Sequence, residues 1–228
     1  TITNLGANAS ANVNFDSWTF NSGTNYTIKD SVYISGDEVP GNDVITASFT
    51  PYVGQNITRL AEGFSGTFPP ANWSFDFTGT NYWQYASSVS SYGNGTGSSF
   101  FNFWTAANGV IQSLITPTFT ATVSGDSIGY DYAYGAYTSG TDSIIIETSS
   151  NGGTTYSTLI GLYGNSTSPI GGYNSMSTVA ASGSRFTPAS NQWLTKKWAL
   201  PVGTTKIKFR SNSGFGNDSF LDSVRILG

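Results

Sequence analysis

The sequence predicts an all-β fold, and three observations carry that prediction. Gly, Ser, Thr and Asn dominate a chain in which charged residues are only 10%, the mix expected of short strands joined by tight turns. Aromatic residues reach 15% although apolar residues as a whole are 38%, so a few large side chains must carry the burial. No ten-residue window has a helical period, whereas turn signals recur every 8–12 residues from about residue 62 onward, the spacing of a β-sandwich.

Taken in order, residues 1–50 read as a few strands. Candidate strands at 12–20 and 26–34 are separated by the turn Asn21-Ser-Gly-Thr24, and a third follows at 44–49. Three strands form one sheet with a single apolar face and cannot close a sandwich. Residues 51–60 form a short joint that contains Pro51 and is not of low complexity, so two modules set stiffly against each other are expected. Glu62-Gly-Phe-Ser-Gly-Thr-Phe-Pro-Pro-Ala-Asn-Trp73 reads as a strand that bends and then stops at its Pro pair. Ten further strands are expected at 73–77, 83–89, 100–104, 110–115, 127–134, 143–149, 156–163, 192–199, 206–211 and 219–226. The intervening 90–99 and 165–190 are long, Gly/Ser-rich and irregular, as functional or flexible loops are.

A net charge of −4 argues against nucleic acid as a partner, because phosphate binding needs clustered Lys and Arg. The one basic cluster, Lys196, Lys197, Lys206, Lys208 and Arg210, alternates with apolar residues in its second half and reads as the wet face of a strand. No run is long enough for a membrane helix. There is no cysteine, hence neither a disulfide framework nor a thiol site. Thr1 opens on polar, strand-like sequence, so a processed or excised piece of a longer protein is expected.

Catalytic residues are expected to be none. Gly125-Asp-Ser-Ile-Gly129 has the letters of a nucleophile elbow, but the chain has no histidine to act as base. Glu147, in an Ile-rich strand, lacks the second carboxylate at close strand spacing that glycoside hydrolysis requires. Tyr130, Tyr132 and Tyr134 share one face of a strand by their period of two. They read as core rather than as a sugar-stacking platform, since sheet-on-sheet packing buries one face. The loop aromatics Tyr92, Tyr173 and Phe215 are the better candidates for ligand binding, because binding groups concentrate on loops.

Two resemblances sharpen this reading. Tyr26-Thr-Ile-Lys29, Val32-Tyr-Ile34 and Gly36-Asp-Glu-Val-Pro-Gly-Asn-Asp43 resemble the second half of the immunoglobulin-like repeats of large bacterial surface proteins. That likeness implies that the half-sandwich is covered by preceding chain, by the second domain or by a neighbouring subunit. From Glu62 onward the signposts resemble, in order, the cleaved adhesin or choice-of-anchor J domains, jelly rolls related in shape to MAM domains. After the Glu62–Trp73 opening come Leu114-Ile-Thr-Pro117, Ile128-Gly-Tyr-Asp-Tyr-Ala-Tyr134, the run from Asp142 to Gly153, Trp193, Thr205-Lys-Ile-Lys-Phe-Arg210, and Asn217-Asp-Ser-Phe-Leu-Asp-Ser-Val-Arg-Ile226.

The expectation is therefore an all-β chain with a partial immunoglobulin-like β-sheet module at 1–54 and a jelly-roll β-sandwich at 55–228. The resemblance implies a secreted, cell-surface protein of Bacteroidetes-type bacteria and a non-catalytic adhesion module that recognises a glycan or a surface protein through its loops. The alternative is a structural spacer or filament-forming segment whose incomplete N-terminal sandwich another chain completes. The resemblance also implies a structural Ca²⁺ where the first and last strands lie side by side, with Glu62, Asp222, Asp218 and Asn217 as its ligands. Ca²⁺ takes six to eight oxygens, which carboxylates and main-chain carbonyls supply. The same residues admit a plainer role, in which Asp222 faces solvent or caps a turn and Glu62 pairs with Arg225 or Arg59. Ser31, Ser127 and Ser143, each in an Asp-Ser-aliphatic triplet, resemble the O-glycosylation sequon of the same bacteria.

Overall fold

The computed structural model describes residues 25–32, 39, 41, 43–49, 59–138, 141–164 and 174–228. The chain divides into two compact units, Thr1–Ile57 and Thr58–Gly228. The described part of the first unit is one antiparallel pair, β1 (Tyr26–Ser31) and β2 (Val44–Phe49), in register from Tyr26 opposite Phe49 to Ser31 opposite Val44. The strand expected at 12–20 lies outside the described residues.

The second unit contains all ten strands expected after Trp73, a two-residue strand at the start of the Glu62 stretch, and one strand at 174–175 that the sequence did not announce. In order they are β3 (Ala61–Glu62), β4 (Ser74–Asp76), β5 (Trp83–Ala86), β6 (Ser98–Phe101), β7 (Ile111–Ile115), β8 (Ser127–Tyr134), β9 (Ser143–Ser149), β10 (Ser157–Tyr163), β11 (Asn174–Ser175), β12 (Leu194–Ala199), β13 (Lys206–Asn212) and β14 (Ser219–Leu227). One sheet runs β11-β10-β9-β13-β7-β4; the other runs β12-β8-β14-β6-β5, with β3 also on β14. The main core lies between them. Leu114, Ile144, Ile146, Ile207 and Phe209 come from the first sheet, and Trp83, Phe101, Ile128, Tyr130 and Leu221 from the second. This is the two-layer solution for sheets with one apolar face each.

The opening stretch departs from its reading as a bent strand. Only Ala61 and Glu62 are extended, opposite Arg225 and Val224 of β14. Phe64 (φ 45°) then turns the chain into the left-handed region, where an extended ladder cannot continue. The Glu62 carboxylate accepts the Phe64 N–H at 2.6 Å. After the turn, Phe64 and Trp73 pack edge to face at 5.3 Å and join the core. The motif is an aromatic plug on a two-residue strand.

Strand β8 is buried along its whole length. Tyr130, Tyr132 and Tyr134 enter the main core, as read from their period. Burial pushes the Tyr132 phenol up to about 12 and raises Tyr130 and Tyr134 beyond the ordinary phenol range. The opposite face is buried too, because Val179, Phe186 and Trp193 pack over Ala133 and Phe220 as a second, smaller core. These three residues belong to, or flank, the irregular stretch at 165–190, whose described part therefore folds back over a sheet face.

The basic strand β13 is not merely a wet face. Lys208 and Arg210 flank Glu147 at 3.0 and 3.2 Å, and the Lys208 ammonium lies 4.2 Å from the Tyr156 ring centroid. The cross-strand register Lys208 opposite Glu147 puts these charges on one face. The pairing offsets the cost of placing the buried Glu147 carboxylate there.

Candidate functional site

The residues with the most elaborate local support gather where β14 begins. Asp142, just before β9, is fully buried. Its Oδ1 accepts the Gly214 and Gly216 N–H groups at 2.9 and 3.1 Å. Its Oδ2 accepts the Tyr134 hydroxyl and the Asn217 N–H, each at 2.8 Å. A carboxylate is acceptor-only, and these four donors saturate it. Burial is the largest influence on this group and raises its pKa above the ordinary value, while the four hydrogen bonds pull it back.

That cradle holds the turn Ser213-Gly-Phe-Gly216. A Cβ on Gly216 would meet the Asp142 carboxylate, and one on Gly214 would meet the Thr141 backbone, so both positions exclude side chains. Between them Phe215 sits at φ 60°, a conformation uncommon for a bulky residue. Its N–H donates to Ser213 Oγ at 3.0 Å, and the ring is 57% exposed. A buried charge thus fixes a turn whose outward product is an exposed aromatic.

Two further segments are tied to the same turn. Asn217 is fully buried; its Oδ1 accepts the Phe186 N–H at 2.6 Å and its Nδ2 donates to Ser184 O at 2.9 Å. The side chain therefore acts as a strand partner for both neighbours of Arg185. Asp218 accepts Arg185 Nε at 2.7 Å on Oδ2 and the Trp104 N–H at 3.2 Å on Oδ1. Burial raises the Asp218 pKa and Arg185 opposes the shift. Trp104 meets Tyr137 edge to face at 5.6 Å. Beside Arg185 opens a cleft of about 380 Å³ lined by Val179, Ala180, Ser182, Phe186 and Gln192 among others.

The expected calcium ligands are engaged separately. Asn217 and Asp218 belong to the latch just described, and the guanidinium on Asp218 stands where a cation would compete for the carboxylate. Glu62 serves its own turn and pairs with neither Arg225 nor Arg59 as a salt bridge; Arg59 pairs with Asp126 at 3.0 Å. Asp222, buried rather than facing solvent, accepts the Ser91 N–H at 2.7 Å and the Ser223 N–H at 2.6 Å. It lies opposite Asp131 of β8. Burial raises its pKa, the two N–H groups lower it, and the Asp131 charge adds to the rise. Among the described residues no three Asp, Glu, His or Cys side chains form a metal-holding group.

The other candidates scatter. Tyr92, in the short turn Ser91–Gly93, bonds Thr195 Oγ1 through its hydroxyl at 3.1 Å, over the middle of β8 and β12 rather than beside Phe215. Tyr173 lies outside the described residues. Ser127 and Ser143 are 2% and 4% exposed, and Ser127 donates to Leu227 O at 3.3 Å. Both hydroxyls sit inside strands, out of reach of a glycosyltransferase in the folded domain; Ser31, at the end of β1, is exposed.

Asp142, Arg185, Trp104 and Tyr137 were not among the site residues expected from sequence. A signal existed for the first: one Asp heads an Ile-rich strand, and Gly-Phe-Gly is an unusual way to present an aromatic. Arg185 carried none.

Comparison with known proteins agrees with this architecture. No protein-family model matches the chain, and no curated protein sequence does. Among solved structures, the chain is similar to the K1 cleaved adhesin domain of Lys-gingipain from Porphyromonas gingivalis W83, with a TM-score of 0.54 and 19% identity over 75% of this chain and 98% of that one. The K2 and K3 cleaved adhesin domains of Lys-gingipain give TM-scores of 0.53 and 0.52 at 18% and 17% identity, again covering 98% of each. At such identity the likeness is one of fold. No helix among the described residues is long and apolar enough to cross a membrane. Over about three quarters of its length, this chain has the jelly-roll fold of the cleaved adhesin domains.

Proposed function

We propose that the chain is a non-catalytic binding module of a secreted, cell-surface protein, and that it holds a glycan at the loop end built around Phe215. The observation that carries this reading is an exposed ring on a turn fixed by a buried, four-fold hydrogen-bonded carboxylate. A desolvated charge is an expensive way to shape a surface turn; displaying a pre-organised aromatic to a partner gives it a use. Aromatic faces suit the apolar side of a pyranose, and Trp104 and Tyr137 are tied to the same end of the sandwich. The fold likeness to adhesin domains supports a binding role over a catalytic one.

A glycan array followed by titration calorimetry tests this. Phe215→Ala should lose about tenfold in affinity, the equivalent of one ring contact of roughly 1.4 kcal/mol, with its melting point unchanged. Wild-type protein that binds no glycan, or a variant that binds as well as wild type, would sink the reading.

Calcium belongs to the same proposal in reduced form. Asn217 and Asp218 do not fit a cation, their polar atoms being taken by the latch; Asp222, buried opposite Asp131 of β8, is the carboxylate left to bind one beside its two N–H donors. Asp222, with Glu62 on the neighbouring β3, would hold the ion, and hydroxyl and carbonyl oxygens would complete the shell. The ion would supply rigidity. Removing it with EDTA should lower the melting point by about 5–10 °C if Ca²⁺ is present near a hundred times its dissociation constant. An unchanged melting point removes calcium from the description.

A further inference from the structure

We infer that Arg185 makes this module selective for sugars that carry a carboxylate, such as hexuronic or nonulosonic acids. The inference rests on the glycan-binding reading and deepens it.

An exposed arginine on a loop is ordinarily a mobile, solvated side chain, and its ion pairs contribute little. Arg185 is held differently. Both of its chain neighbours are pinned by the buried Asn217 side chain, Ser184 through its carbonyl and Phe186 through its N–H. Its guanidinium is fixed from behind, where Nε donates to Asp218 Oδ2 at 2.7 Å. Asp218 is itself buried and oriented by the Trp104 N–H. Only Nε is engaged in this pairing, so the two terminal nitrogens are left without an acceptor among the described residues, on a side chain that is 45% exposed.

Those nitrogens form the planar fork that matches a carboxylate in two parallel hydrogen bonds. Four other cations are paired with carboxylates of the chain: Lys208 and Arg210 with Glu147, Arg59 with Asp126, and Arg225 with Asp131. The pairing with Asp218 offsets the positive charge in the unliganded protein, and the fork geometry remains for recognition.

The surroundings select a sugar acid rather than a bare anion. Arg185 lines the cleft of about 380 Å³ together with Val179, Phe186, Ser182 and Gln192, a volume in the lower part of the range of small-ligand clefts, about 300–1,000 Å³. Apolar walls with a few hydroxyl and amide groups suit a pyranose ring, and the turn that carries Phe215 is joined to the Arg185 segment through Asn217.

Titration calorimetry on the whole chain tests the inference with matched probes. Tri-galacturonate is compared with its methyl ester, which keeps the sugar and removes the charge; sialyllactose is compared with lactose. At least one acid should bind about tenfold or more tightly than its neutral counterpart, as a charge-assisted bidentate contact provides. The arm that responds tells hexuronic from nonulosonic acid. Arg185→Lys keeps a cation for Asp218 but not the fork. It should reduce the preference, read as the ratio of acid to neutral affinity measured on the same variant, to less than about threefold.

Wild-type protein that binds acid and neutral probes alike, or Arg185→Lys protein that keeps its preference, overturns the inference while the glycan reading stands. If neither these probes nor any neutral glycan binds, both fall.

Discussion

Asp142→Ala is expected to lower the stability of the jelly-roll unit by about 3–5 kcal/mol, the range for removing one partner of a buried charged network. The substitution leaves the Tyr134 hydroxyl and the N–H groups of Gly214, Gly216 and Asn217 without their acceptor in a site that water does not reach. For a domain of this size that corresponds to a melting point about 10–15 °C lower, measurable by calorimetry. Ligand affinity should fall with it, because the turn that presents Phe215 loses its anchor. Asp142→Asn keeps the shape and one acceptor oxygen and should fall between wild type and Asp142→Ala. A melting point within about 2 °C of wild type for Asp142→Ala would show that the cradle contributes nothing.

The same carboxylate makes a statement about pH. Asp142, Asp218 and Asp222 all have pKa values raised above the ordinary 3.8, chiefly by burial. In the window between that value and the folded-state value, the native protein binds more protons than the unfolded chain, so stability falls as pH rises. The contribution of these groups is fully present below pH 3.8 and is lost as pH climbs through each folded-state pKa. The melting point of Asp142→Asn should therefore change less steeply with pH over that window than that of wild type. Parallel curves would mean that Asp142 does not titrate as its burial demands.

Phe101→Ala should be equally damaging for a different reason. Phe101 is wholly buried on β6, opposite Trp83 of β5 and Ser219 of β14. Its ring lies 4.5 Å from Phe103 and 5.4 Å from Trp83, and 6.2 Å from Tyr82. Truncation removes the transfer free energy of the ring and leaves a cavity that rigid neighbours cannot fill, a loss of about 3–5 kcal/mol. Denaturant titration should show it as a lower midpoint at unchanged slope. Phe101→Leu, which keeps much of the volume, should lose less than half as much. Equal losses for the two variants would mean that the site collapses freely and that packing there is loose.

The fold was largely legible because its information is local. The alternation in β8 and β13, the Ile run of β9, and the turn residues between them set strand positions to within a few residues. Where reading failed, either a single backbone conformation or a partner distant in sequence intervened. Glu62–Trp73 has the composition of a strand, but the left-handed Phe64 ends it after two residues. The stretch 165–190 reads as loop by composition; Val179 and Phe186 from its described part, with Trp193 just beyond it, cover a sheet face that sequence had no means of pairing with them. The basic run on β13 alternates as a solvated face would, and only the neighbouring strand supplied Glu147.

The candidate site was legible in part: Asn217 and Asp218 were named from sequence, but as metal ligands rather than as the latch. Phe215 stood out as a loop aromatic, whereas Asp142, Asn217 and Arg185 are 73, 2 and 30 positions away from it by number, and no spacing rule connects them. Composition and periodicity by themselves determined that this protein is all-β, that its tyrosine strand is core, and that histidine- and thiol-dependent chemistry is closed to it. Which carboxylates hold turns, which serines are buried and which arginine is aimed outward depended on strand order and register. Those are set by the packing of two sheets whose strands are distant in sequence, and so only the tertiary structure could decide them.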